Sequence, residues 1–132
     1  MNEMEGRHVE CHSGAAERLL DPDIALSAPA HWLAEAATRL WAASRRGELT
    51  HQQAGERAQF LLGAPIAVTQ LDGLVSSAMT LSLRLHLTVY DTLYTALAEQ
   101  QAVKLVTADR RLFQAMRGDK QLRDRVQWIG DR

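Results

Sequence analysis

Three carboxylates, Glu35 in WLAEAAT, Asp91 in TVYDTLY and Asp109 in LVTADRR, each stand in apolar or small-residue surroundings. Clustered carboxylates repel one another and resist joint ionisation unless a cation compensates them, which makes such a cluster a site for a hard, oxygen-preferring metal. A cation held there lowers the pKa of water and offsets charge on an attacked phosphate. Each acid also has an ordinary structural use. Glu35 has the i,i+4 spacing of a helical pair with Arg39. Asp91, three residues after Thr88, has the spacing of the acidic member of a capping box. Asp109 is placed as the N-cap of a helix.

The elements around these acids follow from periodicity and punctuation. A short helix over 13–20, capped by Ser13, and a short strand over 24–27, bounded by Pro22 and Pro29, open the readable part. From 30 to 46, Leu33, Ala36, Ala37, Leu40 and Trp41 fall at the spacing of a buried helical stripe, and Gly47 ends it. Thr50 and Gln53 form a capping box for a helix that Gly63 stops, giving a hairpin of two helices. A strand over 66–68 comes next, then a helix capped by Asp72 that buries Leu74, Val75, Ala78, Met79 and Leu85. Alternation of Leu81, Leu83, Leu85 and Leu87 also fits a strand, but context and length favour the helix. Thr88 caps a helix to about residue 101, a strand covers 104–107, Asp109 caps a helix to about 116, and 126–129 is a last strand.

Helices alternating with short strands imply an α/β sandwich around a largely parallel sheet. In such sheets ligands bind in the crevice beyond the C-terminal strand ends. Asp109 falls at that edge and Asp91 opens the helix feeding the same strand, whereas spacing alone does not bring Glu35 there.

The stretch TVYDTLYTALAEQQAVKLVTADRRL resembles the closing half of PIN domains, particularly VapC-type toxins of toxin-antitoxin pairs. Thr88, Tyr90, Asp91, Tyr94, Ala96, Leu97 and Ala98 match the first part of the family pattern, and Thr107, Asp109 and Leu112 match the second. The segment 30–50 resembles the helix that carries the family's second acidic residue, at Glu35. The resemblance implies a PIN-like three-layer α/β/α sandwich over 13–132, with 1–12 an irregular extension. It further implies that Glu35, Asp91 and Asp109 hold Mg2+ or Mn2+ and cleave RNA, that a cognate antitoxin blocks the site, and that the chain forms a homodimer. Family members open with a strand ending in Asp, then a small residue and Ser or Thr, which MNEMEGRHVECHSGA does not reproduce. The expectation is therefore that the first strand and its aspartate are missing. Glu3, Glu5 and Glu10 are the acids that remain to replace it. A front that starts downstream or is scrambled, a decayed copy, and a PIN-like module kept for binding an antitoxin or RNA without cutting all stay open.

Length and composition fit one domain with one core: 132 residues, 46% hydrophobic and 23% charged. The net charge of −1 exerts no general pull on nucleic acid or an anionic surface. Charge is uneven, however, with eight Lys and Arg against four Asp and Glu from Lys104 onward, and seven against twelve before it. Thr107, Arg110 and Arg111 are thus candidate RNA contacts beside Asp109, with Arg117, Lys120, Arg123 and Arg125 further along. A single cysteine, Cys11, excludes an internal disulfide. No apolar run approaches the roughly 18 residues of a membrane span, so a cytoplasmic protein is expected. His8, Cys11 and His12 lack the second pair that a tetrahedral zinc site needs. Trp32, Trp41 and Trp128 read as core or interface residues.

Overall fold

The computed structural model describes residues 25–130 in full and the backbone of 7–11. The chain forms strands β1 (Arg7–Cys11) and β2 (Ala25–Pro29), helices α1 (Trp32–Arg45) and α2 (His51–Leu62), and strand β3 (Ile66–Thr69). A 3-10 turn at Leu71–Gly73 leads into α3 (Val75–Leu85), then α4 (Val89–Gln101), β4 (Leu105–Thr107), α5 (Arg110–Arg117) and β5 (Val126–Trp128). The expected helix over 13–20 lies outside the described residues, as do Glu3 and Glu5.

The five strands form one sheet in the order β3-β2-β1-β4-β5, parallel at every pairing. This corrects the expectation of a missing first strand, and sets a strand at 7–11 within the stretch expected to be irregular. Arg7–Cys11 is the central member, pairing Val9 with Ser27 on one side and Val9 with Leu105 on the other. The RHVEC segment escapes a pattern reading because it is short and carries Arg, His and Glu, whereas ladder hydrogen bonds run through the backbone and tolerate any non-proline residue. The order also sets a switch point. From β1 the sheet grows through β2 to β3 on one side, and through β4 to β5 on the other, which opens the crevice between β1 and β4.

Helix α4 is the axis of the core. Thr92 through Ala98 are all buried, and the helix packs on α3, β1, β2 and β4. Leu97, Leu105, Leu112, Met116 and Leu122 are fully enclosed around it. Thr88 starts the helix, its Oγ1 accepting the Asp91 N–H at 3.3 Å. The Thr50–Gln53 capping box forms as expected, and Gly63 ends α2. The stretch 81–85 is helical, as context indicated, and His86 ends it in the left-handed region (φ 58°). Its buried side differs from the expected one: Leu74, Ala78, Leu81 and Ser82 face inward, while Val75 and Met79 are exposed. Asp72 makes no side-chain cap, since the 3-10 turn separates it from α3.

The larger departure is the α1–α2 hairpin. Neither helix has a fully buried residue, and Trp41 is 61% exposed, with Phe60 and Leu62 exposed as well. Helix α1 packs chiefly on α2, and reaches the central core through Trp32 at its start. No described helix is long and apolar enough to cross a membrane.

A buried hydroxyl pair ties α3 to α4. Thr92 Oγ1 donates to the Ala78 carbonyl at 2.8 Å and lies 2.6 Å from Ser82 Oγ. Thr92→Val keeps the volume but leaves Ser82 without its acceptor in an enclosed place, so stability should fall by about 1–3 kcal/mol. In urea denaturation, adding Ser82→Ala to Thr92→Val should recover part of that loss. An undiminished midpoint in Thr92→Val would show that the pair contributes nothing.

Candidate active site

Each of the three acids is positioned by a different element, and all three elements begin or end at the C-terminal edge of the sheet. Strand β4 ends at Thr107, whose side chain is fully buried and whose Oγ1 accepts the Asp109 N–H at 2.9 Å. Asp109 Oδ1 in turn accepts the Leu112 N–H at 3.0 Å, capping α5. Its ordinary role and its place at the crevice therefore coincide. Thr107 has no surface to offer RNA; its hydroxyl sets the position of Asp109 instead.

Asp91 lies in the first turn of α4, half-buried, where the helix enters the core. Glu35 lies in the first turn of α1, which starts just after β2 ends. Its contacts turn it toward α4. The Tyr94 hydroxyl donates to Glu35 Oε1 at 2.6 Å, and His31 Nε2 stands 3.3 Å from the same oxygen. His31 Nε2 also lies 3.1 Å from the Tyr90 carbonyl oxygen, and the imidazole packs edge-on against Tyr94 with ring centres 5.0 Å apart. Spacing alone could not carry Glu35 to Asp91; a tyrosine one turn beyond Asp91 makes the link.

Asp91 feels the charge of the other two acids. The Asp91 carboxyl is raised above the usual aspartate range, first by burial and then by the charge on Asp109, with a smaller push from Glu35. Hydrogen bonding to Thr88 and the Arg111 guanidinium pull it back. Among the described residues, no three His, Cys, Asp or Glu side chains converge as a ready-made cage for an ion. The donor chemistry nevertheless fits a hard cation: three carboxylates share a field in a partly buried place, and a divalent ion there would relieve their repulsion. Backbone register brings Glu10 opposite Val106 and Cys11 opposite Thr107, so β1 also ends at this edge.

Arg111 donates to the His86 carbonyl at 3.2 Å, and Arg110 lies over the Trp128 ring at 5.9 Å. Beside Glu35, a crevice of about 440 Å3 is lined by His31, Thr38, Arg39 and Tyr90. Pattern reading gave His31 no role and Tyr94 only a place in a motif. The signal available was helical spacing, since His31 is four residues before Glu35 and Tyr94 three after Asp91.

No family model matches the chain. Over 80 residues, 59% of its length, it is 36% identical to ribonuclease VapC3 of Pyrobaculum aerophilum, and the match spans 61% of that protein. In three dimensions it is similar to the crystal structure of PAE2754, also from Pyrobaculum aerophilum. The TM-score is 0.68 at 20% sequence identity, covering 96% of this chain and 85% of the other. The architecture is a PIN-like α/β/α fold, and the sequence likeness is to a VapC ribonuclease.

An acid whose folded pKa is raised binds its proton more readily in the native state than in the unfolded one. Stability is then lost as pH rises from the ordinary aspartate value through the raised one. Asp91→Asn should therefore raise the melting temperature at pH 7, and the gain should shrink toward zero as pH falls below about 4. Thermal melts across pH 3–8 decide this; a gain independent of pH would refute the electrostatic cause.

Proposed function

We propose that the chain is a metal-dependent endoribonuclease of the VapC kind, cleaving RNA phosphodiester bonds with Glu35, Asp91 and Asp109 as metal ligands. The observation that carries this reading is the electrostatic coupling of Asp91 to Asp109 and Glu35 at the C-terminal edge of a parallel sheet. The likeness to ribonuclease VapC3 supports it independently. When bound, Mg2+ or Mn2+ supplies water acidic enough to attack near neutral pH and neutralises charge at the phosphate. The reaction adds water across one P–O bond, leaving a phosphomonoester and an alcohol.

The chain's own residues have distinct tasks in this reading. Asp109 is held by the Thr107 hydroxyl on its N–H and by the Leu112 N–H on its carboxylate, so it serves as the fixed donor. Asp91 is half-buried, where charge is felt more strongly than in open solvent. Tyr94 and His31 aim Glu35 at the other two, as positioning residues. Arg111, which already offsets the charge on Asp91, is placed to meet a phosphate, with Arg110 beside it. A cytoplasmic location, a cognate antitoxin that blocks the crevice and a homodimer follow from the VapC likeness and belong to the same proposal.

A second reading is a PIN-like module that binds RNA or an antitoxin without cutting. The absence, among the described residues, of three converging ligands favours it. Calorimetric titration with Mn2+ separates the two, since a module without a competent site takes up no metal at millimolar concentration.

Cleavage of a panel of RNA stem-loops should require Mg2+ or Mn2+ and stop with a chelator. Asp91→Asn or Asp109→Asn should slow it by roughly a hundredfold or more. Cutting that survives the chelator or either substitution would dispose of the assignment.

A further inference from the structure

A concave groove of about 830 Å3 runs beside the carboxylate crevice along the sheet edge formed by β5. Its walls are Lys104, Phe113, Arg117, Gln127 and Trp128, with Val126 and Gly130 at the floor and end. Among the described residues, no acidic side chain lines it. Trp128 pairs in register with Thr107, so its ring stands at the end of the groove nearest Asp109. There Phe113 meets the indole edge-on, with ring centres 5.5 Å apart, and the Arg110 guanidinium lies over it. Lys104 precedes β4 and Arg117 closes α5, which places both at the opposite end. The groove thus runs from two exposed cations to an aromatic wall at the end of the sheet where β4 passes into Asp109.

We infer that this groove binds single-stranded RNA next to the bond to be cut, with Lys104 and Arg117 on phosphates and Trp128 stacking an unpaired base. The inference rests on the nuclease reading for its purpose, but its chemistry is independent of metal. A groove lined by cations without acids is complementary to a polyanion. An indole in the groove wall, held by Phe113 on its edge, is the surface on which unstacked bases pack in single-strand binding proteins. Duplex RNA hides its base faces and gains nothing from that ring. A protein strand added to β5 is the competing occupant, but β5 has only three residues and offers a short ladder.

The test is fluorescence anisotropy of a labelled single-stranded oligoribonucleotide with the full chain in a chelator, so that binding is read without cleavage. The wild type should bind the single strand more tightly than a duplex of the same length. Lys104→Ala with Arg117→Ala should weaken binding about tenfold and flatten its logarithmic salt dependence by about 0.7 per cation removed. Trp128→Leu should weaken it about tenfold, and Trp128→Phe, which keeps an aromatic face, should restore most of the loss. Lys104→Ala alone, at an exposed position, serves if a double variant fails to fold, and should show half the salt effect. Unchanged RNA affinity and salt slope in the cation variants, as a groove for a protein strand would give, overturn the inference. So does a wild type that binds no RNA. Cleavage assays on the same variants separate the two readings. If the chain cuts RNA but the variants bind like wild type, the groove falls and the nuclease stands. Binding that depends on these residues in a chain that never cuts leaves the groove standing and the nuclease fallen.

Discussion

The rest of the structure depends on a helix, α4, that is buried on all sides through its middle. Seven consecutive residues of α4, Thr92 through Ala98, are enclosed, which is more than one helical face. A helix enclosed on several sides needs partners on each, and α3, β1, β2 and β4 supply them. Its polar members must then be satisfied internally, and Thr92 is, through Ala78 and Ser82. Asp91 occupies the last turn before this burial begins. Its half-enclosed position is thus a by-product of where the core starts.

That position explains the electrostatics of the site. Burial disfavours the charged carboxylate, and Asp109 and Glu35 add like charge, so the arrangement holds Asp91 above its ordinary pKa without any specialised contact. The compensating features are modest: a bond to Thr88 and the field of Arg111. The charges of Asp109 and Glu35 thus reach Asp91 at the sheet edge, and a raised carboxyl there marks this edge as the place where charge matters most. Rigid support for Asp109 and the Tyr94–His31 clasp on Glu35 hold two of the three in place.

Away from the site, the α1–α2 hairpin is stabilised chiefly by itself. The two helices pack chiefly on each other, and Trp41, Phe60 and Leu62 remain in solvent. Burial of the hairpin therefore contributes less to the core than the stripe of leucines and alanines implies. The start of α1 is tied to the rest by Trp32, packed against the core, and by the contacts of His31 and Glu35 with Tyr90 and Tyr94. The hairpin and the site are coupled through that clasp.

Local chemistry was legible in the sequence. Thr50, Gln53, Thr88 and Asp109 act as caps where their spacing placed them, because capping needs only backbone groups within three residues. The α/β alternation and the placement of Asp109 beyond a strand end were likewise local matters of period and order. The strand at Arg7–Cys11 was not legible, since its partners β2 and β4 are distant in the chain and its side chains carry no alternating pattern. Nor was the outward face of α1, because a helical stripe shows that a face is covered without showing what covers it. The association of Glu35 with Asp91 and Asp109 needed packing between helices that are 59 residues apart at the Tyr94–Glu35 bond. The sequence by itself thus determined which residues could carry charge and where helices start. Only the tertiary structure decided which of those charges must face one another, because that depends on how buried faces pair across the sheet.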